Sequence, residues 1–255
     1  MNDLERYFNS NSGRLIHKWM HFFEVYDRHF SRFRGKEVVV VEIGVFHGGS
    51  LQMWKQYFGP GAVIHGVDIN PRCKELEEEQ VTIHIGSQSD PAFLRRLKAE
   101  LPPIDILIDD GGHTMRQQNI TFDELFDAVK PGGVYLCEDL HTSYWLQYEG
   151  GHRRPGTFIE RCKGLIDQLN AWHSEQRSLK VDRFTRSARS MHFYDSVVVV
   201  EKDIVDAPVV RKTGTPSFPD DPPKQRGAWG RFKLAALRAV NAGLRFLHLP
   251  GFLWR

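Results

Sequence analysis

Cysteine is scarce: Cys73, Cys137 and Cys162 are the only three in 255 residues. Their number is odd and no two stand at a metal-ligand spacing. A disulfide framework and a cysteine-based zinc site are therefore excluded, and a reducing compartment is expected. Long apolar runs are missing as well. No stretch approaches the roughly 18 apolar residues that a membrane-spanning helix needs. The first residues, MNDLERYFNSNSGR, carry mixed charge where a secretory leader would be basic and then apolar. A cytoplasmic protein is the expectation. Surplus positive charge is absent from most of the chain too. The formal net charge is +2, but Lys224–Arg255 holds seven of the 34 basic residues and none of the 32 acidic ones. The remainder is mildly acidic, which argues against a nucleic-acid partner, since such enzymes surround their working cleft with positive charge.

What the sequence does contain is an alternation. KEVVVVEIG, AVIHGVD, VTIHIG, IDILID and VYLCED are short β-branched or aliphatic runs that predict strands. Between them SLQMWKQYF, DPAFLRRLKAEL and TFDELFDAVK predict helices, the second capped by Asp90 with Pro91 at its first position. Strands alternating with helices mean right-handed crossovers and a mostly parallel sheet, so a doubly wound α/β domain. Residues 14–30 predict an amphipathic helix through the spacing of Ile16, Trp19, Phe23, Tyr26 and Phe30. Another helix is predicted at about 157–176, and SLKVDRFT and MHFYDSVVVVEKD predict two closing strands, for seven in all. The expected organisation is an N-terminal helical cap (1–35), the sheet domain (36–205), a proline-rich linker (206–228) and a basic amphipathic helix (229–255).

Ligands of open parallel sheets sit beyond the carboxyl ends of the strands. The first strand ends in EIGVFHGGS, a glycine-bearing turn that lets backbone approach a ligand. Phe46 stands where a dinucleotide cradle needs its second glycine, and the segment reads equally as a tight turn. Asp68, closing the second strand, suits the two hydroxyls of an adenosine ribose, or starts the following turn before Asn70-Pro71. GSQSD after the third strand offers small polar groups to a base edge, or caps a helix. The fourth and fifth strands are more specific. Their tips bear Asp109-Asp110 and Glu138-Asp139, and neighbouring strands lie about 4.8 Å apart. Carboxylates so crowded repel one another unless a cation sits among them. Asp110, Glu138 and Asp139 form an all-oxygen set that suits Mg²⁺. His113, three residues beyond Asp110 on a Gly-Gly turn, can take a proton from a hydroxyl whose pKa a divalent ion has lowered, and His141 is its rival.

VVEIGVFHGGSLQMW, GVDINP, IDDGGH, CEDLHTSYW and HFYDSVVVVEK together resemble the class I, S-adenosylmethionine-dependent and Mg²⁺-dependent sugar O-methyltransferases related to mycinamicin 2''-O-methyltransferase. The resemblance covers roughly Trp19 to Lys202. It implies a seven-stranded Rossmann-like methyltransferase sheet acting on a sugar hydroxyl of a glycosylated natural product or glycoconjugate. It also implies that Glu42, Gly44, Asp68, Ser87, Gln88 and Asp109 hold S-adenosylmethionine, that Asp110, Glu138 and Asp139 bind Mg²⁺, and that His113 is the base. Gly112 stands where the pattern expects serine. The long oligomer-forming N-terminal extension of the macrolide enzymes has no counterpart here, so homo-oligomerisation stays open. Tyr144, Trp145 and Tyr148 offer flat faces for stacking on an acceptor, or for ordinary packing.

In the tail, Trp229, Phe232, Ala236, Val240, Leu244 and Leu247 share one side of a helical wheel and Arg231, Arg238 and Arg245 the other. This suits peripheral contact with anionic lipid, or docking on the protein's own body or a second subunit. Two other functions remain beside the methyltransferase: a non-catalytic glycan-binding scaffold on the same fold, and an enzyme resembling the β-lactam (cephalosporin) hydroxylases.

Overall fold

The computed structural model describes residues 1–218, 227–247 and 251. The chain divides into two compact units, Met1–Pro208 and Val209–Arg255. In the first, β1 (Val38–Ile43), β2 (Ala62–Asp68), β3 (Val81–Ile85), β4 (Ile104–Asp109), β5 (Val129–Cys137), β6 (Ala188–Tyr194) and β7 (Val197–Lys202) form one sheet. Their order is β3-β2-β1-β4-β5-β7-β6. The first five strands run parallel and the hairpin of β6 and β7 closes the sheet antiparallel to β5. Strand order reverses between β1 and β4, which opens a crevice at their carboxyl ends.

Side chains alternate across the sheet and feed two cores. Val40, Ile106, Leu136 and Val199 pack on one face with α2 (Phe22–Phe30) and α3 (Gly49–Phe58). Val41, Leu107, Tyr135 and Val198 pack on the other with α4 (Pro91–Glu100), α5 (Met115–Leu125) and α6 (Phe158–Leu169). Both faces of the central strands are therefore buried, which is why they read as unbroken aliphatic runs.

Three local expectations are corrected. Residues 14–21 are not helical; α2 begins at Phe22, and an additional helix, α1 (Asp3–Ser10), precedes it behind an Asn2–Glu5 capping box. The segment between them crosses the strand tips in irregular conformation, with Ile16 buried and Trp19 55% exposed, so the apolar spacing that mimics a helix never forms one face. SLKVDRFT forms no strand. Asp182 and Thr185 cap each other's backbone N–H instead, a turn that competes with extended pairing. MHFYDSVVVVEKD bends at Asp195-Ser196, where Ser196 has φ 64°, so β6 and β7 both come from this stretch and the residues just before it.

On β2 and β3, His65 Nδ1 lies 3.1 Å from His84 Nε2. Burial, and then His84, lowers the His65 pKa from 6.5 to about 4. A depressed folded-state pKa means that the unfolded chain takes the proton first. The contribution of His65 is thus complete above about pH 6.5 and is lost as pH falls towards 4. The loss should be of order 1 kcal/mol after allowing for partial solvent screening. Urea unfolding across that window should show a steeper acid decline for the wild type than for His65→Gln, and equal slopes would contradict it.

The second unit holds α7 (Ala228–Phe246). The expected linker is without helix or strand where it is described, and residues 219–226, 248–250 and 252–255 lie outside the described residues.

Candidate active site

The crevice is a cleft of about 510 Å³ at the ends of β1, β2, β3 and β4, within the usual size of small-ligand pockets. Its floor begins at Gly44, with φ +98°; a Cβ there would stand 2.0 Å from the Asp110 carbonyl oxygen, so only glycine lets β1 and β4 approach so closely. Asp68 lies on the wall. Its Oδ2 accepts from the backbone N–H of Val45 at 2.9 Å and Phe46 at 3.0 Å, and its Oδ1 from Asn70 N–H at 2.8 Å. It thus fixes the turn after β1 while keeping a lone-pair site on the cleft side.

Ser87 and Gln88 line the cleft, but the Gln88 side chain points into the protein. Its Nε2 donates to Asp109 Oδ1 and its Oε1 accepts from Gly112 N–H at 3.0 Å. Asp109 is 1% exposed and lies beneath the cleft. Burial is the main reason its carboxyl rises to about 8, opposed by the Gln88 hydrogen bond. Glu42 is likewise beneath the lining, where burial pushes it up to about 7 and Ser50 Oγ donates to it at 2.8 Å. These two carboxyls reach the cleft through the residues above them. At Gly112, a Cβ would meet the Gln117 amide, which instead accepts from Thr114 N–H.

The acidic tips of β4 and β5 converge, and a residue that the sequence pattern concealed stands among them. Lys18, with a side chain only 4% exposed, donates to Asp110 Oδ2 and to Glu138 Oε2 at 2.8 Å, and lies 3.8 Å from Glu42 Oε1. Tyr26 donates to Glu138 Oε1 at 2.7 Å. Burial works against the ammonium, yet Asp110 and Glu138 outweigh it and hold Lys18 well above the ordinary lysine value. One positive charge could not offset Glu42, Asp110, Glu138 and the adjoining Asp139 if all four were ionised. Burial, with Asp110 beside it, accordingly pushes Glu138 up. Holding a proton on the buried glutamates eases part of the crowding, and a divalent cation beside Asp110 and Asp139 would ease it in another way.

Asp110 and Asp139 are the carboxylates left for such an ion, and with His113 beside them the three residues offer ligand atoms within 4.8 Å of one another. Asp139 Oδ1 is buried without a hydrogen-bond partner. These residues fit a hard cation with room for further oxygens. Glu138 is turned to Lys18 and Tyr26. Both Asp139 (φ 54°) and His113 (φ 58°) adopt the left-handed conformation, a strain that tends to gather at functional sites.

His113 lines the cleft, with Nε2 3.4 Å from Asp139 Oδ2 and Nδ1 buried without a partner. His141 is held differently. Its Nδ1 meets Ser196 Oγ at 2.5 Å, and its ring packs against Trp19 and Trp145. Trp19, Tyr144 and Trp145 are 55%, 47% and 44% exposed, and Trp19 lines a smaller pocket with Lys18, Asp110, Glu138 and Asp139. Trp19 and Lys18 were missed as site residues because nothing in their local spacing marks them; only the crossing of the strand tips brings them in.

This sheet order, with a glycine turn and an acid facing each other across its reversal point, is that of the Rossmann-like class I methyltransferases. Comparison with known proteins carries the assignment further. Residues 41–140 match the family profile of a methyltransferase domain. Demethylmacrocin O-methyltransferase of Streptomyces fradiae is 38% identical over 208 residues, 76% of this chain and 52% of that protein. Mycinamicin VI 2''-O-methyltransferase of Micromonospora griseorubida is 37% identical over 212 residues, 77% of this chain and 51% of that protein. The solved structure of the methyltransferase MycE in complex with Mg, SAH and mycinamycin VI superposes with a TM-score of 0.70 at 31% identity, over 91% of this chain and 58% of that one. Residues 41–140 belong to the methyltransferase domain family, and the chain is a relative of these O-methyltransferases. It spans about half the length of the curated relatives it matches.

Proposed function

We propose that the protein is an S-adenosylmethionine-dependent, Mg²⁺-assisted O-methyltransferase that acts on a sugar hydroxyl of a glycosylated small molecule, with His113 as general base. The observation that carries this reading is the meeting of Asp110, His113 and Asp139 at the edge of a cleft floored by Gly44 and walled by Asp68. The relatives' names and the MycE complex support the cofactor pair and the substrate class. They favour methyl transfer over hydroxylation or passive glycan binding. The three buried, unpaired cysteines support the cytoplasmic placement.

When bound, Mg²⁺ supplies positive charge that lowers the pKa of the acceptor hydroxyl. Asp110 and Asp139 hold it, while Lys18 and Tyr26 fix Glu138 behind them. Asp68 and the turn at Gly44 seat the cofactor. The His113 ring lines the cleft with Nε2 3.4 Å from Asp139 Oδ2, so the imidazole would take the proton of the acceptor hydroxyl beside a carboxylate that steadies the imidazolium. S-adenosylmethionine, when bound, would supply the methyl group to the deprotonated acceptor oxygen and leave as S-adenosylhomocysteine.

Calorimetric titration with S-adenosylhomocysteine, with and without Mg²⁺, tests the reading. Saturable binding of one molecule per chain is expected. Absence of binding in both conditions would leave only the scaffold function.

A further inference from the structure

The second unit gathers basic residues that the site in the first unit does not use. The helix α7 is amphipathic, and its apolar side is uncovered. Trp229, Phe232 and Val240 are 66%, 62% and 50% exposed, and Phe246 and Leu247 beyond them 85% and 61%. At 3.6 residues per turn, Trp229, Phe232, Ala236, Val240 and Leu247 fall along one side. The Trp229 and Phe232 rings stack at 5.5 Å with 15° between their planes, forming a flat apolar edge. Arg231 and Arg238, seven apart, fall on the opposite side. Lys233, at the border, places its ammonium 5.4 Å from the Trp229 ring centroid, as a lysine does when its stem lies along an apolar surface and its head seeks water or phosphate.

So much exposed aromatic surface on a helix with no acidic residue is costly in water. Two surfaces could cover it: another protein, or a lipid headgroup layer. Charge decides between them. The stretch Lys224–Arg255 has seven basic residues and no acidic one. The helix of a second copy would bring the same charge and repel it, whereas an anionic bilayer attracts both parts of the helix at once. At 19 residues α7 is also the right kind of element to lie in an interface. It is not long and apolar enough to cross a membrane, nor is any other helix among the described residues.

We infer that α7 is a peripheral membrane anchor that lies on anionic phospholipid, with the Trp229/Phe232/Val240 stripe among the acyl chains and its basic residues on the headgroup phosphates. An enzyme so held would work on acceptors that gather at a lipid surface.

Co-sedimentation of the full chain with phosphatidylcholine vesicles containing phosphatidylglycerol, against phosphatidylcholine alone, tests the inference. Partitioning should be about tenfold or more stronger on the anionic vesicles and should fall steeply with added salt. A Trp229→Ser/Phe232→Ser/Val240→Ser variant should lose binding while its S-adenosylhomocysteine affinity and thermal transition stay those of the wild type. Equal binding to neutral vesicles, no binding to either, or undiminished binding by the variant would each overturn the anchor. So would a wild-type dimer that the same substitutions dissociate, because the stripe would then be a contact between copies. Vesicle binding, oligomeric state and the thermal transition do not depend on the methyl-transfer reading, so the anchor can fail or hold independently of it.

Discussion

Asp139→Asn is expected to lower methyl transfer by about 10²- to 10⁴-fold at saturating Mg²⁺, the loss of several kcal/mol that a mispositioned or absent cation would cause. The substitution is informative because the backbone should not notice it. Asp139 sits at φ 54°, and asparagine tolerates that left-handed conformation as well as aspartate does. Its Oδ1 has no protein hydrogen-bond partner to lose. What changes is the charge at the oxygen left for the ion and, through Oδ2, at the neighbour of His113 Nε2, and Mn²⁺ uptake by the variant separates the two. Steady-state transfer assays, together with S-adenosylhomocysteine titration, separate this from damage to the cleft: cofactor affinity should stay near the wild-type value. Turnover close to wild type would remove Asp139 from the metal set.

His113→Asn should cost about 10²-fold or more in kcat with little change in cofactor affinity. Asparagine is chosen over alanine for the same backbone reason, since His113 lies at φ 58°. The loss is assigned to the imidazole of His113, which lines the cleft with Nε2 3.4 Å from Asp139 Oδ2. The companion variant His141→Asn should leave kcat close to wild type, because that ring is engaged by Ser196 and packed between Trp19 and Trp145. If the two variants exchanged effects, the base would be His141.

Much of this arrangement was legible in the sequence. Central strands buried on both faces must be aliphatic throughout, so VVVVEI and IDILID declare themselves, and the acids that end them can only lie at the sheet's carboxyl edge. Gly44 was legible as a turn glycine that lets backbone approach a ligand, while its packing against the Asp110 carbonyl emerges only from the fold. Two things were hidden. Lys18 reaches Asp110 and Glu138 from 92 and 120 residues away along the chain. That pairing exists only because residues 14–21 cross the strand tips without forming the helix their apolar spacing imitates. Gln88 was legible as a cleft residue but not in its direction, since its amide turns inward to Asp109 and Gly112. Burial had made Asp109 an acid in need of a donor, and no local pattern records such a need.

Lys18 also bears on how the site behaves before a metal arrives. Its ammonium keeps Asp110 and Glu138 together when like charges would otherwise drive them apart. The carboxylates are thus gathered in advance, and ion binding need not pay to assemble them.

The central claim, that the tips of β4 and β5 hold a divalent cation, is tested most directly by electron paramagnetic resonance of Mn²⁺ added to the protein with S-adenosylhomocysteine. The wild type should take up one Mn²⁺ per chain, displaceable by Mg²⁺, and an Asp110→Asn/Asp139→Asn double variant should leave the ion free in solution. A wild-type spectrum that shows only aqueous Mn²⁺ at equimolar metal and protein, or uptake that the double variant leaves intact, would contradict it.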